Sequence, residues 1–174
     1  MRLGLFGGSF DPVHLGHLAL ARACQEQGEL DEVWFLPNAR QPLKQDGPQA
    51  TSADRAAMLE AAAEDNDGWR VCTLELDRGG ISYTVETLRE IREGLPDAEL
   101  FFLMGADSLH DLPQWFEPGA ILELATPMVV ARAGEPEPDF TVLAPLVTPE
   151  RLDAIRAARV SMPGVAISSS DVRR

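Results

Sequence analysis

Short apolar runs alternate along this chain with longer segments in which apolar residues return every three or four positions, the signature of strands taking turns with amphipathic helices. Leu3 to Phe6 is the first apolar run and predicts a buried strand. Gly7 and Gly8 follow it and permit a turn that side chains would block. Asp11-Pro12 then predicts a helix start, Asp11 as the N-cap and Pro12 at the first helical position, with the helix over about Val13 to Gln27. Asp31 to Leu36 predicts a second buried strand, ended by Pro37, and Asn38 to Ala50 is a polar, proline-containing loop carrying Arg40 and Lys44. Thr51 or Ser52 caps a helix to about Asp65 that places Met58, Leu59 and Ala62 on one face. Trp69 to Leu76 predicts a third strand, Asp77 to Ile81 a turn, and Ser82 or Thr84 the start of a helix to about Gly94. Leu100 to Met104 predicts a fourth strand, Pro118 to Leu124 a helix, and Met128 to Ala131 another strand. From Gly134 to Pro149 the periodicity breaks down, and the prolines and acidic residues there predict a mobile surface connector. Pro149 leads a last helix through Leu152 and Ile155, and Val165 to Ile167 predicts a final short strand.

Strands alternating with helices predict a Rossmann-like, doubly wound α/β fold, its sheet mainly parallel and covered by helices on both faces. At 174 residues the expectation is a single domain. In such folds ligands bind at the carboxyl ends of the strands, so residues of unusual chemistry should gather in the loops that follow them. They do. The first such loop is the most telling. A helix starting near Pro12 carries His14 in its first turn and His17 three residues later, on the same face. Free N–H groups and the positive end of the helix dipole would lie beside both imidazoles, a setting suited to phosphate oxygens. Neither the P-loop pattern nor G-x-G-x-x-G is present. A zinc site is disfavoured too, because no cysteine or carboxylate set completes the coordination, and no protein metal ligands are assigned.

The formal charge of −13, from 15 basic against 28 acidic side chains, does not invite nucleic acid or an anionic membrane. It also means that a phosphate site must gather its few cations locally. No apolar run reaches transmembrane length and the N-terminus lacks a signal-peptide pattern. Cys24 and Cys72, the two cysteines, have no metal or redox spacing and are expected to be buried free thiols in a reducing cytoplasm.

The run Gly-Gly-Ser-Phe-Asp-Pro-Val-His-Leu-Gly-His from Gly7 to His17 resembles the (T/H)xGH nucleotidyltransferase motif, in the form found in nicotinate-mononucleotide adenylyltransferases. The resemblance extends through later loops. Leu36 to Lys44 is similar to the segment that delivers a lysine to the nucleotide phosphates, although Leu43 stands where family members commonly carry histidine. Ser82-Tyr83-Thr84 followed by Thr87-Leu88 resembles the pyridine-nucleotide loop, which implies that Tyr83 and Thr84 lie against the nicotinate ring; read alone, Thr84 caps a helix and Tyr83 packs. Gly105 and Asp107 match a Gly-x-Asp that approaches the adenosine ribose, and Trp115 matches a tryptophan that stacks on the pyridine, with Phe116 replacing a common histidine. Arg132 is similar to the arginine of an Arg-Pro-Gly segment that meets substrate phosphate, with Ala133 in place of the proline. Ile167-Ser168-Ser169-Ser170 to Arg173 resembles the second ATP motif, whose serines and arginine meet the outer phosphates. Family members continue past this arginine, so the segment after Arg173 is expected to be short or truncated.

The resemblance implies adenylyl transfer from ATP to nicotinate mononucleotide, giving deamido-NAD and pyrophosphate, with Mg²⁺ held chiefly by phosphates and water. By the same resemblance His14, His17, Lys44 and Arg173 are the catalytic set. Gly7, Gly8, Ser9, Phe10, His17, Gly105, Asp107, Ile167, Ser168, Ser169 and Arg173 meet ATP, and Lys44, Tyr83, Thr84, Trp115 and Arg132 the mononucleotide. Two alternatives remain at this stage: a sister enzyme using nicotinamide mononucleotide (or both), and a module that binds ATP without turning it over.

Overall fold

The computed structural model describes residues 1–174. Its elements run β1 (Arg2–Gly8), α1 (Leu15–Gln27), β2 (Glu32–Pro37), α2 (Ser52–Ala63), β3 (Trp69–Val71), α3 (Leu74–Arg78), α4 (Thr84–Gly94), β4 (Glu99–Gly105), α5 (Ala106–Asp111), α6 (Pro118–Leu124), β5 (Thr126–Arg132), α7 (Pro149–Ala157), β6 (Val160–Met162) and α8 (Ser169–Val172). The six strands form one sheet in the order β3-β2-β1-β4-β5-β6, every neighbouring pair parallel. The doubly wound α/β expectation holds, and the sheet is parallel throughout.

Strand β4 shows why. Leu100, Phe102 and Met104 enter the core on one face with Val85, Leu88 and Ile91 of α4, while Phe101 and Leu103 enter the core on the other with Leu20 and Cys24 of α1. A strand buried on both sides has no polar face, so it reads as an unbroken apolar run. The order of the strands switches direction between β1, from which the chain steps outward to β2 and β3, and β4, from which it steps the other way to β5 and β6, and the crevice at the carboxyl ends of β1 and β4 is bordered by Gly7, Gly8 and Gly105. No helix is long and apolar enough to cross a membrane.

Several expectations need correction. Helix α1 begins at Leu15, and its N-cap is His14 rather than Asp11; the Asp11–Pro12 peptide is cis and outside the helix. The third strand stops at Val71 because Thr73 begins a turn, its carbonyl accepting from the Asp77 N–H at 2.8 Å, that becomes α3. In the expected connector, residues 140–146 form a 3₁₀ helix that buries Phe140 and Leu143, with Asp139 capping it by accepting from the Thr141 N–H. The last strand is β6, Val160–Met162, paired with β5, and Val165 to Ile167 lies outside the sheet. Helix α4 starts at Thr84, one of the two expected starts, and ends at Gly94 as expected, but Thr84 is its first helical residue rather than its cap: Tyr83 holds the N-cap position without a side-chain bond.

Candidate active site

The start of α1 is built from its two histidines. The Gly16 N–H donates to His14 Nδ1 at 3.1 Å, and the His14 N–H donates to His17 Nδ1 at 3.2 Å, a reciprocal capping box made of imidazoles. Gly16 has a steric reason to be glycine: a Cβ there would sit 2.9 Å from the His14 ring. The two rings stack with centroids 3.7 Å apart. Because both Nδ1 atoms accept, each neutral ring carries its proton on Nε2, so both histidines are hydrogen-bond donors without being cations.

Charge is in fact withheld from them. Burial, then the neighbouring His14 and Arg132, pull the His17 pKa down to about 3; burial and Arg132 lower that of His14 as well, against a smaller opposing effect of Asp171. This has a consequence for stability. Between pH 6.5 and about 3 the unfolded chain binds a proton at His17 that the folded chain refuses, so stability is lost as pH falls through that window. The loss at pH 5 is expected to be about 2 kcal/mol from this group. Urea unfolding at pH 7 and pH 5 checks it: His17→Asn should show a smaller difference between the two pH values than the native chain.

Ahead of the helix, Asp11 ties three segments together. Its buried carboxylate accepts from the N–H of Gln49 at 2.8 Å and of Ala50 at 2.9 Å, and lies 3.7 Å from Arg173. Burial alone would raise its pKa, but those N–H groups and the charges of Arg173 and Arg55 outweigh it and hold the carboxyl below its ordinary value. Arg173 also donates to the Asp11 carbonyl, and the Ser169 hydroxyl donates to the Pro12 carbonyl at 2.9 Å. The Ser168 hydroxyl is spent on capping α8, donating to Asp171 at 2.6 Å.

The two segments expected to meet ATP, Gly7 to His17 and 167–173, therefore come together, and Arg132, expected to meet the mononucleotide, brings its charge to both histidines from the end of β5. Gly105 borders open space, and Asp107 in the first turn of α5 is exposed and makes no side-chain hydrogen bond or ion pair. The pyridine-loop candidates form a second group. Tyr83 packs on Phe116 at 4.9 Å and Trp115 stands edge-on to Phe102 at 5.8 Å. Ser82 stitches this loop to the one after β2, accepting from the Ala39 N–H at 3.1 Å and donating its own N–H to the Arg40 carbonyl at 2.9 Å. Lys44 is the outlier, exposed on its loop with no side-chain partner.

Comparison with known proteins decides the family. A cytidylyltransferase-like family model matches residues 5–174. A relative from Thermus thermophilus, named a probable nicotinate-nucleotide adenylyltransferase, is 44% identical over 175 residues, spanning 100% of this chain and 86% of its own. One of the same name from Rhodopirellula baltica is 40% identical over 171 residues, spanning 98% and 80%. The chain belongs to the nicotinate-nucleotide adenylyltransferase family. The solved Plasmodium falciparum nicotinic acid mononucleotide adenylyltransferase complexed with APC has the same fold, with a TM-score of 0.72 at 17% identity, covering 99% of this chain and 82% of that one.

For a nicotinate-nucleotide adenylyltransferase, three of the polar groups supporting its loops escape a sequence reading. Asp11 reads as a helix cap, Arg55 falls within the expected second helix with no role assigned, and Glu75 falls within the expected third strand. In the fold all three are buried, and Thr87 donates to Glu75 at 2.8 Å directly behind the Ser82–Tyr83 loop. The signal available in the sequence was a charged residue amid an apolar helical stripe at Arg55, next to Met58 and Leu59.

Proposed function

We propose that residues 1–174 act as one nucleotidyltransferase domain that transfers the adenylyl group of ATP to nicotinate mononucleotide, giving deamido-NAD and pyrophosphate. The observation that carries this reading is the pair of neutral Nε2–H donors at the start of α1, beside the cations Arg132 and Arg173. A phosphate oxygen of the mononucleotide attacks the α-phosphorus of ATP; the bond from that phosphorus to the bridging oxygen breaks, and pyrophosphate leaves. The protein needs no nucleophile for this, only groups that align the two phosphates and meet charge as it shifts. His14 and His17 donate to the α-phosphoryl oxygens, Arg173 and Lys44 offset the leaving pyrophosphate, and Arg132 the incoming phosphate. Gly7, Gly8, Ser9 and Phe10 let backbone approach the ATP, and Asp107 accepts from its ribose.

Magnesium bound with ATP would supply charge neutralisation on its phosphates. The chain gathers no group of three His, Cys, Asp or Glu side chains to cage a metal, and Asp11 is already spent on N–H groups and arginine. A bound magnesium would then be held chiefly by phosphates and water. The substrates are soluble nucleotides, and the cytoplasm is the compartment that fits them.

Helix α4 supports the acid over the amide. Its N-cap residue Tyr83 offers no side-chain acceptor, so the first N–H groups of α4 stay free at the positive end of its dipole. A nicotinate carboxylate there gains from both, whereas a neutral amide gains less. The test is pyrophosphate release with ATP and Mg²⁺, nicotinate mononucleotide beside nicotinamide mononucleotide. Strong preference for the acid is expected. Comparable rates would make the enzyme dual-specific, and no release with either, while ATP still binds, would leave a nucleotide-binding module.

A further inference from the structure

Arg55 is the one arginine of the chain buried almost completely, 1% exposed, and it is far from the surface role that its position on α2 suggests. Its Nη1 donates at 2.7 Å to the carbonyl of Ser9, in the loop between β1 and α1, and its Nη2 lies 3.4 Å from the Ser52 hydroxyl. Its Nε has no partner at all. A guanidinium is a costly group to bury for packing alone, and an apolar side chain of the same length would fill the space at less expense. The single strong bond it makes is therefore informative.

A trans peptide holds its carbonyl and the following N–H on opposite sides of one plane. Drawing the Ser9 oxygen inward to Arg55 turns the Phe10 N–H outward, to the side of the loop away from α2. That N–H has no acceptor anywhere in the chain. The conformation is one the backbone does not adopt unaided: Phe10 has φ of +46°, in the left-handed region that a bulky side chain avoids. Its ring is wedged edge-on against Phe6 at 5.3 Å and His17 at 5.0 Å, which pins it from the other side. Burial of the ring and the pull of Arg55 together hold a strained peptide in one orientation.

We infer that Arg55 is a positioning residue for nucleotide binding: by holding the Ser9 carbonyl it aims the Phe10 N–H, with the histidine Nε2–H groups, at a phosphate oxygen of ATP. This rests on the proposed adenylyl transfer, and its test is separable from it. Arg55→Met keeps the buried stem and removes the donors; Arg55→Lys keeps the charge but cannot fork between Ser9 and Ser52. Misaiming one donor in a charge-stabilising set is expected to lower kcat/KM for ATP by roughly 10²-fold in Arg55→Met, with KM for nicotinate mononucleotide within about twofold of wild type and a smaller loss in Arg55→Lys. A merely structural role would weaken both substrates alike or leave both unchanged, and either pattern overturns the assignment. A second measurement needs no variant. In ¹⁵N-labelled wild type, titration with ATP should move the Phe10 amide resonance among the largest shifts; a Phe10 amide that stays in place while the His14 and His17 amides move refutes the proposal. If ATP binds and shifts the Phe10 amide but no pyrophosphate forms, Arg55 keeps its role and the transfer reading falls instead.

Discussion

Replacing His17 with alanine is expected to lower turnover by roughly 10²-fold or more, the effect of deleting one preorganised donor from a charge-stabilising site. The reasoning differs from that for a cationic site. His17 is neutral down to about pH 3, so what it offers a phosphoryl group is a directed N–H whose direction is set by the bond its Nδ1 accepts from the His14 backbone. Alanine removes the donor and also releases the His14 N–H that the ring had satisfied. Asparagine retains an acceptor and a donor on a shorter stem and should recover part of the loss. Single-turnover pyrophosphate release decides it. A fall in kcat and kcat/KM together would mark an interaction made in the transition state, and an unchanged single-turnover rate would remove His17 from the chemistry.

The second large effect is on stability. Asp11→Ala is expected to cost about 3 kcal/mol, since it unpairs the N–H groups of Gln49 and Ala50 and removes the carboxylate whose charge favours the buried Arg55 guanidinium. For a chain of this size that is a fall in Tm of roughly 10 °C. Asp11→Asn should lose about half as much, because an amide oxygen still accepts from one of the two N–H groups. Calorimetry or urea unfolding measures both. A change within about 0.5 kcal/mol, the range of an ordinary surface substitution, would show that the three tied segments hold together without Asp11.

These two predictions differ in how far they could be read from residues alone. His14 and His17 announce themselves because their spacing, the intervening Gly16 and the strand before them are all local. Asp11 also drew notice, but for the wrong reason: an Asp-Pro pair reads as a helix cap, and the groups it serves lie nearly forty residues downstream. Arg55 and Glu75 are hard to read for the same cause: the apolar stripe around Arg55 hints at burial, but the partners that give both residues their roles lie far away in sequence. The sheet was legible in outline because its central strands are buried on both faces. Its edges were not. Strands β3 and β6 are three residues each, too short for periodicity to separate from the apolar residues beside them, so β3 was read too long and β6 in the wrong place. The 3₁₀ turn carrying Phe140 and Leu143 was hidden by the prolines around it.

The bonds from Ser169 to Pro12 and from Arg173 to Asp11 span 157 and 162 residues of chain. On the ribosome this has a temporal meaning. The β1 loop and the paired histidines leave the exit tunnel well before the groups that close over them, which lie 157 to 162 residues further along the chain. At a translation speed of about 20 residues per second the interval is several seconds, long enough for the early strands to pair. The contact between these two segments is therefore completed only when Ser169 and Arg173 have been made.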